Sequence, residues 1–328
     1  MKVRGSFSSV GMPYPRNLTS PTYEYDEANQ QWKPKTHYPI KDLKPERTNS
    51  WELGLDMRLF KDFSLGFSWY LANTFNQTFD PKVSVSSGYS KIYLQTGYVR
   101  NSGVELSLGY GHTWNNHLHW ESNFTLSHNK NTIKDLVTSY IHPETGLPIT
   151  QNRLDVGGLG KARFILKKGG TLGDLYTQSD LKRDNSGMVE IDPSGALTTE
   201  DNLPDIKLGS VFPKANLAWN NRFEWRGISL SALFTARIGG IAYSATQAAM
   251  DQYGVSERSA QARDNGGVLL NGRTLVDAQT YYSLIGNSSG LPQYYTYSAT
   301  NVRLQEASVG YTIPVSYTHL TLPTTPYV

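Results

Sequence analysis

The amino-acid sequence predicts an all-β fold, an antiparallel transmembrane β-barrel to which this chain contributes about eight membrane strands and long extracellular loops. Three observations support this. Several segments alternate between apolar and polar residues, and the links between them alternate between short and long. The 328 residues are also rich in aromatic side chains, with 21 Tyr, 11 Phe and 7 Trp. A barrel wall that faces lipid on one side and water on the other requires such alternation.

The clearest strand covers residues 51–60, where every second residue is apolar. Its apolar face holds Trp51, Leu53, Leu55, Met57 and Leu59. A second alternating segment, residues 63–72, follows after Lys61 and Asp62 alone, which predicts a tight hairpin. A period of two indicates strands with one apolar and one polar face.

Six further strands are predicted from the same pattern, at residues 2–10, 104–111, 118–126, 217–225, 228–238 and 300–313. Short turns are expected near Trp114–Asn116 and at Arg226–Gly227. In the last strand the alternation slips by one residue near Gln305, which predicts a β-bulge.

The connections predict that all long loops lie at one end of the strands. Short links fall near residues 61–62, 114–116 and 226–227, and they alternate with long ones at about residues 11–47, 76–98, 131–209 and 239–299. Short periplasmic turns and long external loops are the arrangement of outer-membrane barrels. The predicted location is therefore the outer membrane of a Gram-negative cell.

A soluble β-sandwich or barrel is the alternative, because alternation alone does not say whether the apolar face meets lipid or a core. Loops of about 40 to 80 residues confined to one end are uncommon in sandwiches. Aromatic residues also gather near the predicted strand ends, as interfacial girdles require. These residues are Trp51, Phe60, Trp114, Trp219, Trp225 and Tyr311.

Composition excludes several classes of protein. The chain has no cysteine, so disulfides and thiolate metal sites are absent. A net charge of +3 without a basic block gives no basis for nucleic-acid binding. No run approaches 18 apolar residues, so no transmembrane helix is predicted. The first residues lack the pattern of a signal peptide, and we expect the chain to be part of a longer exported protein.

No catalytic residue, metal site or cofactor is predicted. Asp180, Asp184, Glu190 and Asp192 do not have EF-hand spacing, and hairpin turns are favoured over calcium binding. His117 and His119 lack a third ligand, so a lumen-facing or interfacial position is favoured. Glu105 and Glu121 are expected to point inward on neighbouring strands. The glycine-rich segments do not lie between a strand and a helix as phosphate loops do.

The loop at residues 239–299 contains the candidate substrate- or partner-binding residues. Tyrosines with charged neighbours suit contacts to sugars or to a partner surface. The candidates are Asp251, Tyr253, Arg258, Arg263, Asp264, Tyr281, Tyr282, Tyr294 and Tyr295. The alternative for each of them is that it packs this long loop against its neighbours.

Four ordered segments resemble receptors of the SusC/RagA class of TonB-dependent transporters. They are LKPERTNSWELGLD (residues 43–56), SGYS (87–90) with GYVRNSGVEL (97–106), DNGG (264–267) and ATNVRLQEASVGYT (299–312). The resemblance spans nearly all of residues 1–314. It implies a barrel of about 22 strands around an N-terminal plug. It also implies a SusD-like surface lipoprotein as a lid, and energy from the TonB-ExbB-ExbD complex through a part absent from this chain.

Residues 315–328 are predicted to form a non-native tail outside the barrel, because VSYTHLTLPT (315–324) resembles a translated sequencing-library adapter. Residues 1–314 are the C-terminal part of the barrel in this interpretation. The resemblance implies nutrient import, with an oligosaccharide as the expected substrate. A peptide importer of the same class remains open, and so does a secreted soluble β protein that binds glycans.

Overall fold

Eight long strands form one antiparallel sheet in which every strand pairs with its neighbours in sequence order. The computed structural model describes residues 1–14, 24–33, 37–38, 43–79, 91–95, 97–114, 117–141, 148–287 and 290–312. The strands are β1 (Lys2–Met12), β2 (Glu46–Leu59), β3 (Phe63–Phe75), β4 (Tyr98–Thr113), β5 (Leu118–Asp135), β6 (Ala215–Trp225), β7 (Ile228–Ile238) and β8 (Asn301–Tyr311). All eight predicted strands are present, and the fold is the wall of an up-and-down barrel.

Several strands are longer than predicted because polar residues continue the ladder beyond the apolar stretch. β2 begins at Glu46, five residues before Trp51, and β5 continues to Asp135. Hydroxyl pairs hold the added segment of β2, with Thr48 Oγ1 lying 2.9 Å from Thr74 Oγ1. Hydropathy therefore located the part of each strand that faces lipid and missed its continuation, which in β5 is buried against L3 at Asn131 and Ile133.

The short turns have the backbone conformation that two-residue hairpins favour. Arg226 and Gly227 join β6 to β7 with φ angles of 48° and 85°, and Trp225 pairs with Ile228 across the turn. Positive φ at both central residues is the type I′ geometry, whose twist matches that of the flanking strands. Phe60 (φ 53°) and Lys61 (φ 64°) form the turn between β2 and β3. Residues 115–116 of the third turn lie outside the described residues.

The predicted bulge is confirmed at Gln305. Leu233 of β7 pairs with Glu306, while the next residue, Phe234, pairs with Leu304, so Gln305 has no partner on β7. The extra residue changes the phase of the alternation. As a result Leu304 and Ala307, one on each side of the bulge, both share the apolar face of the sheet.

Apolar residues form continuous rows across one face of the sheet. One row crosses all eight strands through Val3, Leu55, Phe67, Leu106, Leu126, Leu217, Ala236 and Val302. The opposite face is polar, with an Arg4–Asp56 ion pair at 3.2 Å. In a barrel wall the apolar face points outward to lipid. In residues 51–59 and 63–71 every second side chain lies on this outward face. Each segment is nine residues long, about the length that a tilted strand needs to cross the hydrocarbon core.

Aromatic rings line the outward face at the end of the short turns. The ring centroids of Phe63 and Tyr110 are 4.7 Å apart, those of Tyr110 and Trp120 are 5.1 Å apart, and those of Trp120 and Phe223 are 5.7 Å apart. This chain of rings crosses four strands and matches an interfacial girdle. The expectation of a strand-end position is wrong for Trp51, the sixth residue of β2, and for Trp219, the fifth residue of β6. The Trp219 indole donates to Ser122 Oγ at 2.9 Å.

Four loops connect the strands at the opposite end, and we name them L1 (residues 13–45), L2 (76–97), L3 (136–214) and L4 (239–300). Short β pairs occur in each. In L1, Glu24–Asp26 pairs with Gln31–Lys33. His37–Tyr38 of L1 pairs with Lys91–Ile92 of L2. Within L2, Thr78–Phe79 pairs with Leu94–Gln95. L3 contains Val137–Ile141 with Pro148–Gln151, a sheet of Arg153–Leu159, Ala162–Lys167, Asp174–Thr177 and Ile206–Ser210, and Asp180–Leu181 with Thr199–Glu200.

L4 contains three helices, α1 (Ala245–Gln252), α2 (Glu257–Asp264) and α3 (Ala278–Gly286), a 3₁₀ turn at Pro292–Tyr295, and the strand pairs Ile241–Tyr243 with Thr296–Ser298 and Val268–Leu270 with Thr274–Val276. The side chains of Ser244, Ser256 and Asp277 cap the three helices. In the described ranges, no helix is long and apolar enough to cross a membrane. Residues 315–328 lie outside the described residues.

Candidate functional site

Loops L3 and L4 share one hydrophobic core, and we call this unit the L3–L4 lobe. L4 contributes Ala248, Val276, Ala278, Tyr282, Ile285, Leu291 and Tyr295, and L3 contributes Leu181, Val189 and Leu197. Leu291 and Tyr295 are completely buried. Most of β1 and β8 is exposed by comparison. Segments far apart in sequence therefore form one packed body at the extracellular end of the strands.

Asn271 joins the two loops by a hydrogen-bond pattern that copies a β-ladder. It lies in the turn of the Val268–Val276 hairpin with a φ of 53°. Its Oδ1 accepts from the backbone N–H of Val189 at 2.9 Å, and its Nδ2 donates to the Val189 carbonyl at 2.9 Å. One side chain thus satisfies both backbone groups of a residue in the other loop.

A second contact joins the 3₁₀ turn of L4 to the inner hairpin of L3. Gln293 Nε2 donates to the Ser179 carbonyl at 3.1 Å and to Asp180 Oδ1 at 2.8 Å. The hydroxyl of Tyr294 donates to the same carboxylate at 3.4 Å. Burial raises the pKa of Tyr294, and the negative charge of Asp180 raises it further. The tyrosine therefore stays protonated and can keep donating.

Asp251 and Arg258 form an ion pair inside the lobe. The Asp251 side chain is fully buried and also accepts from Gln247 Nε2 at 2.9 Å and from Ser256 Oγ at 2.5 Å. The guanidinium of Arg258 lies 4.9 Å from the centre of the Tyr295 ring and 5.8 Å from that of Tyr282. Burial alone would raise the pKa of Asp251, but these hydrogen bonds hold it below its ordinary value.

The structure divides the sequence-predicted candidates into two groups. Asp251, Tyr282 and Tyr295 are buried, and Arg258 packs among them, so these four stabilise the lobe from inside. The exposure expected for their tyrosines is not found. Tyr281 and Tyr294 are half-buried, with ring centroids 6.5 Å apart. Tyr253, Arg263 and Asp264 are exposed, and Tyr253 keeps 76% of its surface accessible.

Two exposed pairs were missed by the sequence reasoning. Tyr25 and Trp32 face each other across the hairpin of L1, with ring centroids 5.2 Å apart and exposures of 50% and 66%. Leu269 and Leu275 are cross-strand partners that are both exposed in the L4 hairpin. The run Asp26–Asn29 between Tyr25 and Trp32 contains turn-forming residues, so the pattern around this hairpin was a usable signal.

The polar face of the sheet surrounds an open hollow of about 530 Å³. Charged residues from five strands line it, namely Arg4, Asp56, Glu105, Arg237 and Arg303. Glu105 points inward, as predicted. Arg237 Nη2 donates to the Val211 carbonyl at 2.7 Å, so the hollow and the base of L3 share a side chain.

Of the four acidic residues of L3 considered above, Asp184 and Asp192 form the predicted turns, whereas Glu190 pairs with Lys182 and Asp180 accepts from Gln293. Asp184 Oδ1 accepts from the N–H groups of Ser186 and Met188 at 2.8 and 3.0 Å. Asp192 repeats this arrangement eight residues later with Ser194 and Ala196. The carboxylates of Asp184 and Asp192 therefore accept hydrogen bonds within their own turns. His119 of β5 pairs with the hydroxyl of Thr113 at 2.8 Å.

Replacing Asn271 by Ala should loosen the L3–L4 lobe. The change leaves the N–H and carbonyl of Val189 without these partners, and an unsatisfied buried polar group costs about 1–3 kcal/mol. We expect local opening to increase about 5-fold to 100-fold, since 1.4 kcal/mol is tenfold. Tryptic cleavage after Arg273 in the intact receptor measures this. Gln261→Ala is the control, because that amide donates only within α2. Equal cleavage rates in both variants would contradict the role of Asn271.

The Asp251–Arg258 pair should make the lobe sensitive to acid. A carboxylate whose pKa is lowered by folding contributes stability above its unfolded pKa, here about 3.8, and this stability is lost as the pH falls through the folded pKa. A spin label at Tyr253→Cys should therefore become mobile below about pH 4. With Asp251→Asn added, the label should already be more mobile at pH 7 and respond less to acid. An unchanged titration in that variant would disprove the assignment.

The outward apolar rows, the aromatic girdle and the grouping of the long loops at one end define an outer-membrane β-barrel receptor. Residues 1–302 match the family described as "TonB dependent receptor-like, beta-barrel". The chain belongs to this family, and the predicted location in the outer membrane is confirmed with it. The soluble sandwich alternative is thereby set aside.

Known relatives are much longer than this chain. TonB-dependent receptor P3 of Formosa agariphila is 22% identical over 303 residues, which cover 86% of this chain and 28% of that protein. TonB-dependent receptor P39 of the same organism is 24% identical over 160 residues, or 48% of this chain and 13% of the relative. The structure of the RagAB peptide transporter superposes with a TM-score of 0.65 at 18% identity and covers 95% of this chain and 34% of that chain. The resemblance to SusC/RagA-type receptors is confirmed at the level of the fold.

Proposed function

We propose that this chain forms part of an outer-membrane importer that takes up oligosaccharides with energy from the TonB-ExbB-ExbD complex. The observation that carries the proposal is the set of exposed rings at the extracellular end, with Tyr25 and Trp32 in L1 and Tyr253 in L4. Aromatic side chains offer an apolar face together with a polar edge. Such rings suit the stacking of sugar rings, whose faces carry C–H groups between polar hydroxyls.

The proposal includes a surface lipoprotein of the SusD type as the partner that covers the loops. The L3–L4 lobe supports this because it is prebuilt and presents exposed apolar residues, among them Val255 (68% exposed), Leu269 (58%) and Leu275 (57%). Apolar residues surrounded by polar ones are typical of protein interfaces. Arg263 and Asp264 would lie in the polar rim of this surface.

A peptide importer is the second candidate. The fold superposes on RagAB, which is described as a peptide transporter and a peptide importer. Both RagAB structures are 18% identical in sequence to this chain, so the similarity concerns the fold alone. The half-buried Tyr281 and Tyr294 would serve peptide side chains as well as sugars, so the lobe favours neither cargo.

The test separates the two cargoes in the intact receptor purified with its lipoprotein. Native mass spectrometry would record masses bound after incubation with an oligosaccharide mixture or with a tryptic peptide mixture. We expect oligosaccharide binding, and we expect the double variant Trp32→Ala, Tyr253→Ala to reduce it at least fivefold. The control is Tyr297→Ala, which should leave binding unchanged because Tyr297 is less exposed than Trp32 and Tyr253. Saturable binding of peptides alone would overturn the oligosaccharide proposal and establish the second candidate.

A further inference from the structure

Three cations on the outward face each lie four residues beyond the last aliphatic or tryptophan residue of that face on their own strand. On β2, β4 and β5 the last apolar outward residues at the loop end are Trp51, Val104 and Leu126. Arg47, Arg100 and Lys130 each lie four residues beyond them, with one neutral or weakly basic outward residue between, namely Asn49, Ser102 and His128. We call Arg47, Arg100 and Lys130 the basic collar.

Hydrogen bonds confirm that the two arginines of the collar belong to the outward face. Arg47 Nε donates to Ser9 Oγ at 2.9 Å, two residues beyond Phe7, whose ring contacts Trp51. Arg100 Nε donates to Asn73 Oδ1 at 2.9 Å, and its guanidinium lies 5.9 Å from the centre of the Tyr98 ring. Each arginine is thus held on the outward face by a hydrogen bond from its Nε.

In the part of the chain that the structure describes, no carboxylate lies within ion-pair distance of Arg47, Arg100 or Lys130. Other cations of the same sheet are paired, since Arg4 contacts Asp56 and Arg222 contacts Glu224 on the inward face. Glu46, the sequence neighbour of Arg47, belongs to the opposite face of β2, and Asp135, five residues after Lys130, is bound to Lys168 at 2.9 Å. The collar therefore presents net positive charge to whatever surrounds the barrel.

The height of the collar matches the polar layer of the membrane. Four residues extend about 13 Å along a strand, which is about 10 Å of height at a barrel tilt near 40°. The polar layer is roughly 5–7 Å thick on each side of the hydrocarbon core. Lys and Arg side chains can bend back toward that layer by the length of their aliphatic stems. Charged head groups of the outer leaflet are therefore within reach.

We propose that the basic collar binds phosphate groups of the lipids in the outer leaflet of the outer membrane. Guanidinium groups bind phosphate in a bidentate manner, and a lysine adds a compact positive charge. Adjacent strands are about 4.8 Å apart, so Arg100 and Lys130 lie about 8 Å from each other between Cα atoms, with Arg47 about 12 Å from Arg100. A lipid with two phosphate groups can therefore contact two neighbouring cations of the collar. The collar fixes the receptor in a shell of anionic lipid at the level where its loops begin.

The test uses the intact receptor in detergent and measures binding of diphosphoryl lipid A by native mass spectrometry. The triple variant Arg47→Gln, Arg100→Gln, Lys130→Gln keeps polar side chains, though shorter ones, and removes three charges. We expect its affinity to fall at least fivefold. The control is Lys182→Gln, Arg183→Gln, Arg273→Gln in the lobe, which removes the same charge and should stay within twofold of the wild type. Should the triple variant fail to assemble, the three single variants supply the comparison.

Two further arms identify the ligand. Dephosphorylated lipid A should bind the wild type as weakly as lipid A binds the collar variant, and Lys substitutions at Arg47 and Arg100 should restore at least half of the lost binding. Inorganic phosphate at the same phosphate concentration should not displace the lipid. The proposal is overturned if the collar variant binds lipid A like the wild type, if phosphate removal has no effect, or if inorganic phosphate displaces the lipid.

Discussion

Leu55→Arg should strongly reduce the amount of folded barrel in the intact receptor. Leu55 lies in the middle of β2 and in the apolar row between Val3 and Phe67. An arginine at the bilayer midplane on the lipid face of a barrel costs about 2–4 kcal/mol. The measurement is the fraction of heat-modifiable, folded protein in outer membranes, together with the midpoint of unfolding in urea.

Depth distinguishes a lipid face from a protein core. Leu59 lies on the same face of β2, beside the short turn and at the level of the aromatic girdle. Near the interface the cost for arginine falls to about 0–1 kcal/mol. Leu59→Arg should therefore assemble nearly as well as the wild type. If both substitutions were equally damaging, the face would be a packed protein interior rather than a membrane surface.

Chemical labelling gives an independent measurement of the same face. This chain contains no cysteine, so a cysteine at Leu55 is a defined reporter within it. We expect labelling by a membrane-partitioned thiol reagent and none by a water-soluble one. Ser68→Cys on the inward face, where Ser68 pairs with Gly54, is the control and should not react with the membrane reagent. Failure of both reagents at Leu55 would mean that the residue lies in a dry interior.

The strands were predictable because the barrel wall imposes a local rule. Leu53 faces lipid and its neighbour Gly54 faces the lumen, so the polarity of each residue indicates which side of the wall it faces. The Gln305 bulge was predictable for the same reason, since it is a break in the alternation. The ends of β2 and β5 were not, because polar residues such as Thr48 and the buried Asn131 continue the ladder there, and no hydropathy pattern marks the strand.

The inside of the L3–L4 lobe was not predictable because it depends on contacts between distant segments. Asp251 and Tyr295 have the residue types of a binding site, yet their partners, Arg258 and the core shared with Leu181, bury them. Asn271 contacts Val189, which lies 82 residues earlier in the chain, and no local sequence pattern predicts that contact. Tyr253 differs from Tyr295 only in the packing around it, and only a structure reveals that difference.

The position of the bulge makes a deletion experiment informative. Gln305 is the unpaired residue between two segments of β8 that both present apolar side chains outward, with Leu304 before it and Ala307, Val309 and Tyr311 after it. Removing Gln305 leaves a regular strand in which all these residues keep their faces. We therefore expect the deletion of Gln305 to assemble, with stability lowered by about 1 kcal/mol or less, because a bulge is a local disruption of the ladder.

Deleting Ser308, three residues further along β8, should instead abolish most of the folded barrel. If the strand keeps the bulge, Val309 and Tyr311 turn toward the polar lumen, because a shift of one residue exchanges the two faces. If the strand absorbs the bulge, Glu306 turns toward lipid, where a charged side chain is destabilising. Heat-modifiable mobility and urea unfolding of the two single-residue deletions provide the comparison. Equal loss of folded protein in both would show that Gln305 does not set the phase of β8.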